Sequence, residues 1–507
     1  MNKFLKIVGA VAVINIVARV FGFLREMAIG YQYGASPTAD GIFTAYMIPN
    51  FLYLVVGGAF TTALISVYNR KTTDQGLFVK QTFTIVTLTL VAMTAVTLIF
   101  TEPILEMFKM EGEAYELTKH LFYWMMPSSI LLGLASWYSG LLNIHDRFHL
   151  SSFAILIYNA AFVVIAVVLS FFIGPIAYGI SAFASAVVML YYLAKGYRKL
   201  NSHPIGVSFA RTQSTRDLWI MVLPVMIGGG TIQIYSVLQR FFVGVLGLGD
   251  SAISVVNYAS RLTQFPQAIL ITAVTTVIYP ILSKKEAEND HESIRSLYGR
   301  GMHYLLLLLV PVSLFAYFYA ENIVQVIFEY SNFTAATTAI TAPVVAIFVI
   351  SMFFLAANTF ITRFYYAKGD SMTPVIMSLI NVFVVNIAAM YVLADSVGVA
   401  AIAWGTVISS ITNTIMLVLY AHVKYDLKLG VGALKVEIVK PIIPFIALGF
   451  ILYFSSEYLV FDYKWLTFIV GLAVFGLSSV ILFTLFKVTE VRVFYMRLKN
   501  KLLKTKV

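Results

Sequence analysis

The stretch ARVFGFLREMAIGYQYGASPTAD, residues 18–40, closes an apolar run long enough to cross a membrane, yet it carries Arg19, Arg25, Glu26 and Asp40. A charge at the centre of a spanning helix costs about 3 kcal/mol on insertion scales, so each must face protein or water. What surrounds the stretch decides which.

The composition leaves little choice of class. Hydrophobic residues make up 60% of the 507 and charged residues 12%, and the mean hydropathy is +0.86, far from the range of soluble domains. Runs of about 20 apolar residues, the length of a spanning helix, recur fourteen times, from 4–30 and 40–69 to 436–456 and 464–486. The expected fold is an all-α polytopic membrane protein with 14 transmembrane helices, because a lipid-exposed backbone must satisfy its own hydrogen bonds. Lys3 and Lys6 precede the first run as in a cleavable signal, but Arg19 interrupts it and further spans follow. Cysteine is absent, which excludes disulfides and thiolate metal sites, and no residue pattern asks for a cofactor or metal.

The net charge of +11 is unevenly distributed. With loops assigned to alternate sides, 28 of the 35 Lys and Arg fall on one side, against Lys109, Lys119 and Lys464 on the other amid Glu102, Glu106, Glu111, Glu113 and Glu116. The positive-inside rule then makes both termini cytoplasmic. The basic tail, residues 488–507, reads as a topology signal and an anionic-lipid contact, with no role for nucleic acid. Four basic residues remain inside spans, all arginine: Arg19, Arg25, Arg240 and Arg261. Glu26 and Asp40 are the acids at that depth, so pairing leaves a basic excess. Arg25 with Glu26 or Asp40 is one expected pair, and a hydrogen bond from Arg240 to Gln239 or Gln233 is the structural alternative to an anion-binding role.

The chain also repeats itself. AFTTALISVYNRK (59–71) matches AVTTVIYPILSKK (273–285) at an offset of 214, a register that also aligns LREMAIG (24–30) with LQRFFVG (238–244). IYNAAFVVIA (157–166) matches LINVFVVNIA (379–388), and IAYG (176–179) matches IAWG (402–405). Two parallel six-helix repeats follow, a plan of transporters that rock about a site between lobes: 1–200, 215–425, then two further helices at 436–487. Arg19 and Arg25 would stand about 9 Å apart in height on one helix. Guanidinium is always charged and forks onto phosphate oxygens, so arginines at this depth point to a polyanion such as a pyrophosphate.

RVFGFLREMAIGYQYGASPTADGIFTAYMIPNFL (19–52), NYASRLTQFP (257–266) and VIYPILSKK (277–285) resemble the MurJ (MviN) family of lipid II flippases in the MOP exporter superfamily. The resemblance implies two lobes around a cationic cavity, a C-terminal helix pair forming a lipid-tail groove, and alternating-access transfer of undecaprenyl-pyrophosphate-linked peptidoglycan precursor across a bacterial cytoplasmic membrane. It implies functional roles for Arg19, Arg25, Asp40 and Arg261. Leu52 and Tyr53 stand where the family commonly has an arginine, so the cavity is one charge poorer or Arg240 compensates. Gln239 stands where some members have a cation-site acid, so sodium coupling does not carry over.

On this reading Arg19, Arg25, Arg240 and Arg261 bind substrate, Glu26 and Asp40 help close an outward gate, and Gly57–Gly58 and Gly228–Gly230 let helices bend. The partners are the lipid-linked pyrophosphate glycan, membrane lipids and cell-envelope synthesis proteins, with the protein acting as a monomer. A flippase for another lipid-linked oligosaccharide or a drug/cation antiporter of the same superfamily would share the repeat; a cation exporter would favour acids inside the spans. A lipid-linked-sugar transferase or phosphatase would need a base, nucleophile or metal ligands; the spans hold no HExxH or carboxylate pair, and His145 and His149 read as loop residues. A non-transporting scaffold would leave the arginines unexplained.

The topology makes a direct prediction in this cysteine-free chain. An impermeant maleimide added to intact cells labels Glu111→Cys and spares Ser283→Cys; the reverse pattern would invert the orientation.

Overall fold

The computed structural model describes residues 3–70, 73–249, 251–429, 437 and 439–488, so the basic tail beyond Val488 lies outside the described residues. The chain divides into two compact units at Asn257 and Tyr258.

In the first unit α1 (Lys3–Tyr33) is followed by α2 (Pro37–Leu52), a π-helical turn (Tyr53–Gly57), α3 (Gly58–Tyr68) and α4 (Gln75–Ile99). Then come α5 (Thr101–Glu106), α6 (Gly112–Met125), α7 (Ser128–Ile144), α8 (Phe148–Ile173), α9 (Ile176–Arg198), α10 (Gln213–Val245) and the first residues of α11 (Ala252–Ala287). The second unit holds the rest of α11, α12 (His291–Phe318), α13 (Ala320–Ile327), α14 (Ala335–Ala367), α15 (Met372–Ile380), a second π turn (Asn381–Asn386), α16 (Ile387–Val397) and α17 (Ala400–Tyr425). It ends with α18 (Ile442–Tyr458) and α19 (Lys464–Leu485). Ten helical stretches among the described residues are long and apolar enough to cross a membrane, and α18 is a shorter apolar helix. The run at 118–144 is broken into α6 and α7 at Pro127, whose missing N–H cannot continue a helical ladder.

Polar residues fix the helix starts. Ser36 accepts from the Ala39 amide beside Pro37, Asp74 from Leu77, and Thr212 forms a reciprocal capping box with Thr215. Two turns share an unusual backbone: Gly174 ends α8 at φ 62°, ψ −145°, and Gly398 ends α16 at φ 56°, ψ −132°. That region is open almost only to glycine, and the two positions lie 224 residues apart, between the two offsets of the later repeats.

Within the first unit, α10 is held along α3. Trp219 meets Phe60 edge to face at 5.6 Å, and Arg70 Nη1 donates to Asp217 Oδ2 at 2.5 Å. The segment before it lies on α4, where Gln81 Nε2 donates to the Ala210 carbonyl and the Ser208 amide to Thr84 Oγ1, both at 2.9 Å. In the second unit, loop charges tie helix ends together. Lys368 bridges to Glu286; Asp370 accepts from the Thr373 amide and hydroxyl, Lys424 Nζ and the Tyr425 hydroxyl; Arg295 pairs with Asp426. Burial raises the Asp370 carboxyl pKa, but these donors outweigh it and hold it well below the usual carboxylate range. The last helix pair packs on α12 and α13 through Phe315, Tyr319, Leu448 and Leu452, and a Cβ at Gly471 would lie 2.2 Å from the Tyr319 ring.

His145 is more than a loop residue. Its Nε2 lies 3.1 Å from Ser202 Oγ, and the Tyr68 ring sits 6.3 Å from it and 6.4 Å from His203. Burial lowers its pKa, and so does His203, against a smaller opposing pull from Asp146. The fold thus favours neutral His145, and the stability this contributes is present above the ordinary histidine pKa of about 6.5 and lost as pH falls through the lower folded value. Thermal midpoints measured from neutral pH downward should drop more for the wild type than for His145→Gln.

Candidate functional site

Arg25, Glu26 and Arg240, three of the charges inside the spans of the first unit, meet where α1, α2, α10 and α11 come together. Arg25, with a side chain 12% exposed, donates through Nη2 to Glu26 Oε1 at 3.0 Å, and Glu26 is 3% exposed. The guanidinium lies over the Tyr46 ring at 4.5 Å and the Phe162 ring at 5.2 Å from their centroids. Aromatic faces and a carboxylate together replace the water this cation has lost.

The other Glu26 oxygen accepts from Asn257 Nδ2 at 2.9 Å. Asn257 turns its carbonyl to Arg240, whose Nη2 donates to Oδ1 at 3.0 Å, while Arg240 Nη1 donates to the Phe43 carbonyl at 3.3 Å. The chain runs Arg25, Glu26, Asn257, Arg240 and then the α2 backbone. A side-chain amide has a donor for the acid and an acceptor for the arginine in one group.

A second clasp lies nearby on α2 and α11. Asp40, 6% exposed, accepts from the Ser254 amide through Oδ1 at 2.7 Å. Ser254 is in the first turn of α11, whose amides have no intrahelical partner and whose dipole favours an anion. Two glycines beside these charges pack closely on the α5–α6 segment of the first unit. A Cβ at Gly41 would lie 2.6 Å from Thr118 Oγ1, and one at Gly244 would lie 2.5 Å from the Phe108 carbonyl oxygen. The π turn at Tyr53–Gly57 follows α2 directly, at the position where the arginine of the resembled motif is missing.

The structure therefore joins Arg25, Glu26 and Arg240 in one network and puts Asp40 on the same helix start, α11, that supplies Asn257. Arg25 pairs with Glu26, one of its two expected partners. Arg240 does hydrogen-bond between helices, but its bonds go to Asn257 and the Phe43 carbonyl, and Gln239 Nε2 donates to Tyr235. Arg19 lies apart: it is exposed on α1 and, among the described residues, makes no hydrogen bond or ion pair. Arg261 is half-buried on α11 in the second unit. Sequence reasoning missed Asn257 and Ser254. An asparagine in a membrane helix is itself a costly polar group, a signal that was available; a backbone amide gives none. Among the described residues no group of three His, Asp or Glu is arranged to hold a metal ion.

Comparison with known proteins follows the same path. The sequence model of a family described as lipid II flippase MurJ matches residues 29–476. The probable lipid II flippase MurJ of Rickettsia prowazekii (strain Madrid E) is 26% identical over 484 residues, 92% of this chain and 95% of its own. The lipid II flippase MurJ of Burkholderia cenocepacia is 27% identical over 425 residues, 80% and 81% of the two chains. Among solved structures, a lipid II flippase MurJ in an inward closed conformation shares the fold with a TM-score of 0.81 at 21% identity, covering 94% of this chain and 98% of that one. An inward-facing multidrug resistance MATE transporter of the MOP superfamily gives 0.71 at 14% identity, covering 84% and 99%.

The network predicts coupling between residues that do not touch. Asn257→Ala should cost about 1–3 kcal/mol of stability, read as a lower thermal midpoint of the purified protein. Glu26→Gln and Arg240→Gln should couple by about 0.5–3 kcal/mol when Asn257 is present and become additive in the Asn257→Ala background.

Proposed function

The chain belongs to the lipid II flippase MurJ family, and from that membership we propose that it moves lipid II across the cytoplasmic membrane by opening and closing a seal made from its own buried charges. The observation that carries the reading is the Arg25–Glu26–Asn257–Arg240 network, with the Asp40–Ser254 clasp beside it. With both termini cytoplasmic, these groups lie toward the outer ends of α1, α2, α10 and α11. The network then closes the outer side, and the cytoplasmic side admits substrate.

In the proposed cycle the pyrophosphate of the lipid head enters as a polyanion and meets Arg19, which has no acid partner among the described residues, and Arg261. Glu26 holds Arg25 directly and Arg240 through Asn257 while the seal is shut. A pyrophosphate diester, with one negative charge on each phosphate, competes with one carboxylate for these guanidiniums, so substrate arrival and loosening of the seal draw on the same hydrogen bonds. Releasing Asp40 from the α11 start would free the second clasp. No covalent bond forms or breaks; the polyprenyl tail stays in lipid, in the groove proposed at α18 and α19.

We hold the fourteen-span count and the two parallel repeats as part of this proposal. The matching turns at Gly174 and Gly398 support the repeat, and the ten long apolar stretches support the class. The excess of arginine over acid inside the spans favours an anionic lipid-linked substrate over a drug cation.

Arg25 and Arg261 test the reading, one from each half of the chain. If both fork onto phosphate, Arg→Lys at either position impairs complementation of a flippase-depleted strain. Arg→Ala weakens lipid II binding to the purified protein by about ten- to hundredfold. Normal growth and binding with Ala at both positions, at normal membrane level, would exclude the basic substrate site. Lost growth with intact binding would assign the arginines to the seal alone.

A further inference from the structure

Loop cations differ in how their charge is met, and in the first unit Arg70 pairs with Asp217 and Lys119 with Glu102. In the second unit Lys285, Arg295, Lys368, Lys424 and Lys428 each pair with an acid. In the first unit Arg147, Lys195, Arg198 and Lys199 are exposed and, among the described residues, make no ion pair. Asp146 is the only acid between Glu116 and Asp217.

The packing of α8 on α9 brings these four cations to one level. The rings of Phe153 and Tyr192 meet at 5.9 Å, and a Cβ at Gly196 would lie 3.4 Å from Leu150. This antiparallel register sets Arg147, at the start of α8, beside the last turn of α9. Lys195, Arg198 and Lys199 stand three and four residues apart, on one face of that turn. Just below, toward the apolar part of both helices, Phe148, Phe153 and Tyr191 are exposed at 41%, 40% and 65%, and Lys195 Nζ lies 5.8 Å from the Tyr191 ring centroid. Exposed aromatics under a row of unpaired cations mark the depth of the lipid headgroups.

We propose that this face of α8 and α9 is a binding site for an anionic phospholipid, its headgroup phosphate held by Arg147, Lys195, Arg198 and Lys199 and its chains laid against Phe153 and Tyr191. The lipid supplies the counter-charge that acids supply to the paired loop cations elsewhere in the chain. The site is separate from the charge network of α1, α2, α10 and α11, and the proposal rests on the membrane reading of the chain rather than on the identity of the transported lipid.

The test uses the purified full-length protein in mixed micelles with equal amounts of phosphatidylglycerol and phosphatidylcholine of matched chains, with retained lipids counted by native mass spectrometry. The wild type should prefer phosphatidylglycerol by about tenfold or more, a preference that falls with salt. R147Q/K195Q/R198Q/K199Q should abolish it, and K195R/K199R should keep it. K428Q, which removes a cation already paired with Asp426, should leave it unchanged. All four positions are exposed, and the single variants K195Q and K199Q give a graded loss that does not depend on the fourfold change folding. Equal retention of both lipids by the wild type, or an unchanged preference in the fourfold variant, would overturn the proposal. So would release of the lipid by inorganic phosphate alone, which would assign the site to a soluble anion.

Discussion

A guanidinium buried at membrane depth must be given a counter-charge, and Arg25 receives it from its own neighbour in sequence. That choice constrains everything around it. Glu26, adjacent on the helix, points one oxygen at Arg25 and leaves the other to be satisfied from outside α1. Asn257 satisfies it from α11, and by doing so brings its own carbonyl to Arg240 on α10. Removing one partner of a buried ion pair costs about 3–5 kcal/mol, because the remaining charge is stranded. The four helix ends therefore stay together as long as each link is made.

The same physics would make the proposed seal reversible. Apolar packing would close the outer ends more firmly, and water or an anion would do little to loosen it. A seal of charge-assisted hydrogen bonds can be exchanged bond for bond with a phosphate or with water, at a net cost far below the strength of each link. Asp40 extends the principle to the backbone: its partner is a first-turn amide of α11, which water can replace without any side chain moving. The acid-paired cations of the second unit tie helix ends together, whereas the exposed cations at the end of α8 and α9 make no ion pair among the described residues.

Much of this was legible in the sequence because membranes tax charge heavily. The spans stand out in hydropathy, the four arginines stand out against them, and the candidate partners of Arg25 narrow to Glu26 and Asp40. The role of Asn257 was harder, since it joins residues 231 and 17 positions away and carries no charge to mark it. Ser254 takes part through its amide, which every residue but proline possesses. The packing of α10 in the first unit rests on Trp219 against Phe60 and Asp217 against Arg70, contacts that no periodicity encodes. Pro127, in contrast, announced the break between α6 and α7 in plain view, although the apolar run continues across it.

The account stands or falls on transport of lipid II, and the most direct measurement is made in a cell whose only lipid II flippase is this protein. Its expression is switched off, and lipid II exposed on the outer leaflet is quantified with an impermeant probe against the total pool. The account predicts that outer-leaflet lipid II falls as the protein is diluted out while the inner pool rises, before any loss of membrane integrity. Unchanged exposure after the protein has gone would contradict it.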